Sequence, residues 1–172
     1  MSYFVSAIIV LLVLLSFIAF FDEAREVIKT RQRRANKAKN EKLIAGASSM
    51  NGQLHKMELV SFQKLVTYIY EKIGYRTKTI TAGKESAIIL EQNGVYTLMI
   101  YKNHIWPISR DTLETCYYHK TKMGLDAMMV ISIGGFNVSG WEWSKDQSDV
   151  KLINEERFID LCNEIAVPRA AG

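Results

Sequence analysis

The chain has 172 residues with 22 Lys and Arg, 18 Asp and Glu and a net charge of +4. This length allows one compact domain beside a short additional segment and excludes two ordinary domains. Hydrophobic residues make up 48% of the chain, but they are unevenly placed, with a dense block in the first 21 residues. The first 21 residues and the rest of the chain differ in composition and are therefore interpreted separately.

The first predicted element is a single membrane-spanning helix. Residues 3–21, YFVSAIIVLLVLLSFIAFF, carry no charge, and as an α-helix they would be about 28 Å long, close to one hydrocarbon core. A cleaved signal peptide is the alternative. No Lys or Arg precedes the run, however, and the bulky Phe20 and Phe21 end it. The pattern predicts a transmembrane anchor over residues 1–21.

A basic segment over residues 22–45 contains neither Gly nor Pro and is predicted to be a helical stalk. Residues 22–42 hold eight cations and four acids, a net +4, so residues 43–172 sum to zero with 14 charges of each sign. The positive-inside rule then predicts an external N-terminus and a cytoplasmic C-terminal domain. A nucleic-acid-binding arm is the alternative to contact with anionic lipids. The cations predicted to lie at the membrane surface are Arg31, Arg33, Arg34 and Lys37.

A linker is predicted over residues 46–53, a domain over 54–166 and a tail over 167–172. The dipeptide Asn93-Gly94 indicates a tight hairpin turn. The order α-β-β-β-α-β-(α)-β-α predicts an α/β sandwich with a mixed sheet. The predicted elements are a helix over 57–73, strands over 76–81, 86–92 and 95–102, a helix from the cap Ser109 to Lys122, a strand over 126–133, an ambiguous segment over 136–147, a strand over 150–153 and a helix over 155–165 capped by Asn154.

Four local sequences in this domain carry a family resemblance. They are SFQKLV at residues 61–66, Gly74-Tyr75, AMMVISIGGF at 127–136 and KLIN at 151–154. In this order they resemble the catalytic domain of Mrr-like type IV restriction endonucleases, a branch of the PD-(D/E)xK nuclease fold, over roughly residues 54–166. The resemblance implies a bacterial protein, here at the inner (cytoplasmic) membrane with a single pass.

The active-site positions depart from the pattern of that family. Aligning Asn93-Gly94 on the family's hairpin turn places Lys102 on the motif lysine, Ile100 on the motif Gln or Glu, and Ala87 or Ser86 on the motif Asp. The family's chemistry uses Mg²⁺ held by carboxylates, and Ala and Ile supply no oxygen ligand. We therefore expect a catalytically inactive fold, without a metal site and without a cofactor.

The alternative is an active nuclease whose carboxylate has moved. Glu85 and Glu91 lie on the same hairpin as Lys102 and could restore an Mg²⁺ site. The three histidines have no zinc-ligand spacing, and Cys116 and Cys162 are expected to be free thiols in a reducing compartment.

Binding would survive a loss of catalysis, and four aromatic residues are the candidates for contact with a partner: Tyr101, Trp106, Trp141 and Trp143. The sequence thus predicts a membrane-anchored cytoplasmic binding module that recognises a membrane-associated protein, as in plasmid or phage exclusion. A noncatalytic DNA tether is a further alternative. Nucleic acid is not the favoured partner because the domain has no net positive charge, and homodimerisation stays open.

Overall fold

The computed structural model describes residues 29–39, 41–42, 46, 54–82 and 85–166. The chain divides into two compact units between residues 39 and 40. In the first unit, residues 29–39 form a helix that is exposed on every side, as predicted for the stalk. Among the described helices, none has the length and apolar character needed to cross a membrane. The predicted anchor, most of the linker and the tail lie outside the described residues.

The second unit contains four helices and five strands among the described residues. A 3₁₀ turn, Leu54–Lys56, comes first. The helices are α1 (Leu59–Ile73), α2 (Arg110–Lys122), α3 (Val138–Lys145) and α4 (Glu155–Ala166). The strands are β1 (Arg76–Ala82), β2 (Glu85–Gln92), β3 (Val95–Lys102), β4 (Ala127–Ser132) and β5 (Val150–Asn154).

The five strands form one mixed sheet in the order β1-β2-β3-β4-β5. The first three strands are antiparallel neighbours, whereas β3, β4 and β5 run parallel to one another. The turn between β2 and β3 is tight because Asn93 and Gly94 adopt positive φ angles of 55° and 81°, which an Asn-Gly hairpin favours. The predicted mixed α/β fold is confirmed.

Each face of the sheet carries its own hydrophobic core. One core lies under α1 and α4, where the ring centroids of Phe62 and Phe158 are 5.4 Å apart. The other lies under α2 and α3 and contains Leu98, Val130 and Leu113. Neighbouring residues of a strand point to opposite faces, so alternate residues of a strand pack into different cores.

Three local signals set the helix boundaries. The Ser109 side chain accepts a hydrogen bond from the Thr112 amide and caps α2. Asn137 accepts one from the Gly140 amide at 2.8 Å, so the segment that the sequence left ambiguous is a helix. Gly74 ends α1 with a left-handed φ of 105°, a conformation that glycine adopts without steric cost.

Candidate functional site at the carboxyl edge of the parallel strands

The candidate site lies where the three parallel strands end. Lys102 of β3 pairs with Ser132 of β4, and Ser132 pairs with Asn154 of β5, so the three residues share one register level. All three lie on the sheet face that carries α2 and α3, because they alternate with residues of the other core. In open α/β sheets the crevice at the carboxyl ends of strands is the usual place for a ligand.

The family's two carboxylate positions are apolar in this chain. Ala87 and Ile100 are direct partners across the β2–β3 ladder. Both are buried in the core beneath α2 and α3, at 0% and 2% exposure. These two positions provide no oxygen ligand and do not fit a metal ion. Lys102 is half-buried at the end of the same row.

A carboxylate residue stands one register level beyond this pair. β2 begins at Glu85, two residues before Ala87, and β3 ends at Lys102, two residues after Ile100. Extending the antiparallel register by these two residues places Glu85 across from Lys102.

The second relocated carboxylate considered from the sequence does not join this site. Glu91 lies six residues further along β2, about 20 Å from Glu85 along an extended strand. There Glu91 Oε2 lies 3.5 Å from Arg76 Nε, and Glu91 Oε1 accepts a hydrogen bond from the Gly94 amide. Glu91 therefore belongs to the turn end of the hairpin.

A buried hydroxyl group near the edge has no hydrogen-bond partner among the described residues. It is Ser132 Oγ, in a residue with 0% exposure. On the opposite face, burial raises the pKa of Tyr101, and a hydrogen bond with the Ser86 side chain works in the other direction. Ser132 lies beside Lys102 in the parallel ladder. No local sequence pattern points to Ser132, because the pairing that places it beside Lys102 is nonlocal.

The loop that connects β3 to α2 begins at this edge of the sheet. Asn103 Nδ2 donates to the Met57 carbonyl oxygen at 2.6 Å at the start of the loop. At its end, Ile108 forms a parallel bridge with Phe136, donates to the Gly135 carbonyl at 3.0 Å and accepts from the Asn137 amide at 3.1 Å. The loop is thus tied at both ends to other parts of the domain.

The four aromatic candidates do not form one surface. Trp106, in this loop, is 69% exposed and Trp141 of α3 is 40% exposed. Trp143 packs edge-on against Tyr117 with ring centroids 5.7 Å apart and borders the core under α2 and α3. Tyr101 is buried in the opposite core. Trp106 and Trp141 are the two candidates that solvent reaches to a large extent.

The remaining predicted groups belong to other elements of the chain. Among the described residues, no cluster of three or more His, Cys, Asp or Glu side chains could hold a metal. Cys116 and Cys162 are both buried and form no disulfide. Arg31, Arg33, Arg34 and Lys37 lie on the exposed helix of the first unit.

Residues 54–162 match the Mrr_cat restriction endonuclease family. The chain belongs to this restriction endonuclease family. The match spans both cores, both hairpin strands and the loops of the carboxyl edge, so the candidate site lies within the family's catalytic domain. No curated protein matches the chain.

Two solved structures resemble this member of the Mrr_cat family. The DNA modification-dependent restriction endonuclease AspBHI is 10% identical with a TM-score of 0.53, over 73% of this chain and 36% of AspBHI. The protein of unknown function AF1548 is 17% identical with a TM-score of 0.48, over 62% of this chain and 69% of that protein. The likeness to AspBHI is one of fold, and this chain matches only about a third of that enzyme's length.

The expectation that this chain is not an enzyme is wrong. It rested on the two motif positions now occupied by Ala87 and Ile100. The domain as a whole, however, matches a restriction endonuclease family, and AspBHI, a restriction endonuclease, shares its fold. The family match over residues 54–162 therefore overturns the expectation drawn from those two positions.

Proposed function

We propose that this Mrr_cat domain is a nuclease that cleaves phosphodiester bonds of DNA at the carboxyl edge of its parallel strands. The observation that carries the proposal is the register of the β2–β3 hairpin, which brings Glu85 opposite Lys102 in a member of a restriction endonuclease family. An acidic residue and a lysine are two of the three residues in the family's motif, and Glu85 would here take the place of the missing Asp.

The two residues have distinct roles in this proposal. The Lys102 ammonium group binds the scissile phosphate and stabilises the negative charge that develops on its oxygens. Glu85 would hold Mg²⁺ beside the substrate phosphate, and the ion, when bound, would supply an activated water and further charge stabilisation. Burial of the neighbouring Ala87 and Ile100 gives the site an apolar floor. A floor without water strengthens electrostatic interactions with the phosphate.

The test is cleavage of plasmid DNA and single-stranded DNA by the full-length protein with Mg²⁺ or Mn²⁺. Lys102→Ala and Glu85→Gln should each lower the cleavage rate by about 10²- to 10³-fold, the usual cost of removing one transition-state contact. Glu91→Gln is the matched control, since this residue lies at the turn end of the same strand, and it should leave the rate unchanged. If the wild type cleaves no DNA with either ion, the proposal fails.

We further propose that the domain works at the cytoplasmic face of a membrane. The apolar residues 3–21, followed by eight cations within residues 22–42, support this location. The full-length protein should remain with membranes after alkaline extraction, and removal of residues 1–21 should release it. The triple variant Arg31→Gln/Arg33→Gln/Arg34→Gln should reduce binding of that shortened chain to anionic vesicles, since each cation near such a surface contributes about 1 kcal/mol.

A further inference from the structure

An exposed tryptophan stands beside the candidate site. Trp106 is 69% exposed and Ile105, next to it, is 56% exposed. Large apolar side chains that are exposed next to one another often mark a contact surface. Both residues lie in the loop that leaves β3 directly after Lys102, so they follow the proposed nuclease site closely in the chain.

The loop holds Trp106 in a fixed position. A Cβ atom on Gly134 would lie 2.5 Å from the Ile105 carbonyl carbon and 2.6 Å from the Trp106 carbonyl oxygen, so the backbone of the loop rests directly on this glycine. Pro107 fixes its own φ angle and restricts Trp106 to an extended backbone. A side chain that is presented on a rigid backbone loses little conformational entropy when it binds a ligand.

The distance from Lys102 suits one nucleic acid strand. Three residues separate Lys102 from Trp106, so their Cα atoms are at most about 14 Å apart. The two residues can therefore contact positions within about four base steps of one DNA strand. The stretch from Lys102 to Arg110 also contains His104 and no acidic residue, so this loop itself carries no negative charge that would repel phosphates.

We propose that Trp106 stacks on an unpaired base of the DNA strand that Lys102 binds. The location of this contact rests on the proposed nuclease site. An indole ring offers a flat face on which any base can stack. In an intact duplex the faces of the bases are covered by their neighbours, so the contact requires a single strand, a flipped base or a locally opened duplex. The inference therefore assigns unpaired DNA as the ligand of this edge.

The test is binding of the full-length protein to an oligothymidine of about 15 nucleotides, long enough for a single-strand site, in EDTA so that no cleavage occurs. Trp106→Ala should weaken the affinity by roughly 5- to 150-fold, the effect of losing one stacked base. Trp106→Phe should retain most of the affinity because it keeps an aromatic face. Tyr118→Ala removes another exposed aromatic residue, from α2, and should change nothing.

The outcomes separate this inference from the nuclease proposal. Wild-type affinity in Trp106→Ala, or no measurable binding of oligothymidine by the wild type, would overturn the stacking contact whatever the cleavage assay shows. The contact would also be overturned if Trp106→Ala released a membrane protein from the native complex while DNA affinity stayed the same. If Trp106→Ala lost DNA affinity but the wild type cleaved nothing, stacking would stand and only the nuclease would fail.

Discussion

Replacing Gly134 by Ala should separate the loop that follows β3 from the loop that follows β4. The added Cβ would lie 2.5–2.6 Å from three backbone atoms of Ile105 and Trp106, and backbone atoms cannot rotate aside. The loops must move apart by about 1 Å, and overpacking of this kind costs about 1–3 kcal/mol. The hydrogen bond from the Ile108 amide to the Gly135 carbonyl, now 3.0 Å, would weaken and add about 1 kcal/mol.

The expected loss is therefore about 2–4 kcal/mol of unfolding free energy, which should lower the urea midpoint by about 1–2 M. Gly135→Ala is the matched control: open space surrounds a Cβ there, but φ is +74°, so the cost should be about 1–2 kcal/mol from backbone strain alone. Urea unfolding is followed by tryptophan fluorescence, and acrylamide quenching reports on Trp106. A Gly134→Ala midpoint at or above that of Gly135→Ala would refute the contact between the loops.

Four further predictions concern buried or partly buried groups. Lys120 Nζ donates to Asp149, and the two side chains are 10% and 27% exposed. Lys120→Met should therefore destabilise the domain by about 1–3 kcal/mol in urea unfolding, and no measurable effect would show that the pair is solvated. Burial works against ionisation of Asp149, but the hydrogen bonds from Lys120 and Tyr117 outweigh it and lower the pKa of Asp149, so its contribution is present above about pH 4 and is lost as the pH falls through the folded pKa. Asp149→Asn should make the unfolding free energy less dependent on pH in that acidic range. Burial raises the pKa of Cys162 to about 12, so a thiol reagent at pH 8 should modify Cys162 only after unfolding, as mass spectrometry of the modified peptide would show. Ser132→Ala should stabilise the domain by about 1 kcal/mol, because its buried hydroxyl has no partner among the described residues, and a clear loss of stability would reveal one.

Most of the fold follows from local signals in the sequence. The strand over 95–102 was predicted with its observed bounds, since Asn93-Gly94 fixes the hairpin and β-rich residues fill the strand. The segment 136–147 stayed ambiguous because Trp141 and Trp143 fit an extended strand as well as a helix. The hydrogen bond that the Asn137 side chain accepts from the Gly140 amide settles it as a helix.

The site depended on contacts that no local pattern contains. The expectation of inactivity gave most weight to Ala87 and Ile100 at two motif positions, and it kept Glu85, on the same hairpin as Lys102, only as the alternative. The burial of Tyr101 depends on which face of the sheet α1 covers, and the pairing of Ser132 with Lys102 depends on a parallel crossover. Such nonlocal pairings are decided by the packing of the whole domain.

The packing of α1 against α4 affects how the domain can fold during synthesis of the chain. Every strand pairs with the next one in sequence, so the sheet can grow strand by strand as the chain leaves the ribosome. The core beneath α1 cannot close in this way, because Phe158 and Cys162 of α4, which complete it around Phe62, are made only after all five strands. Until α4 has been made, the apolar side of α1 is open to water and to chaperones.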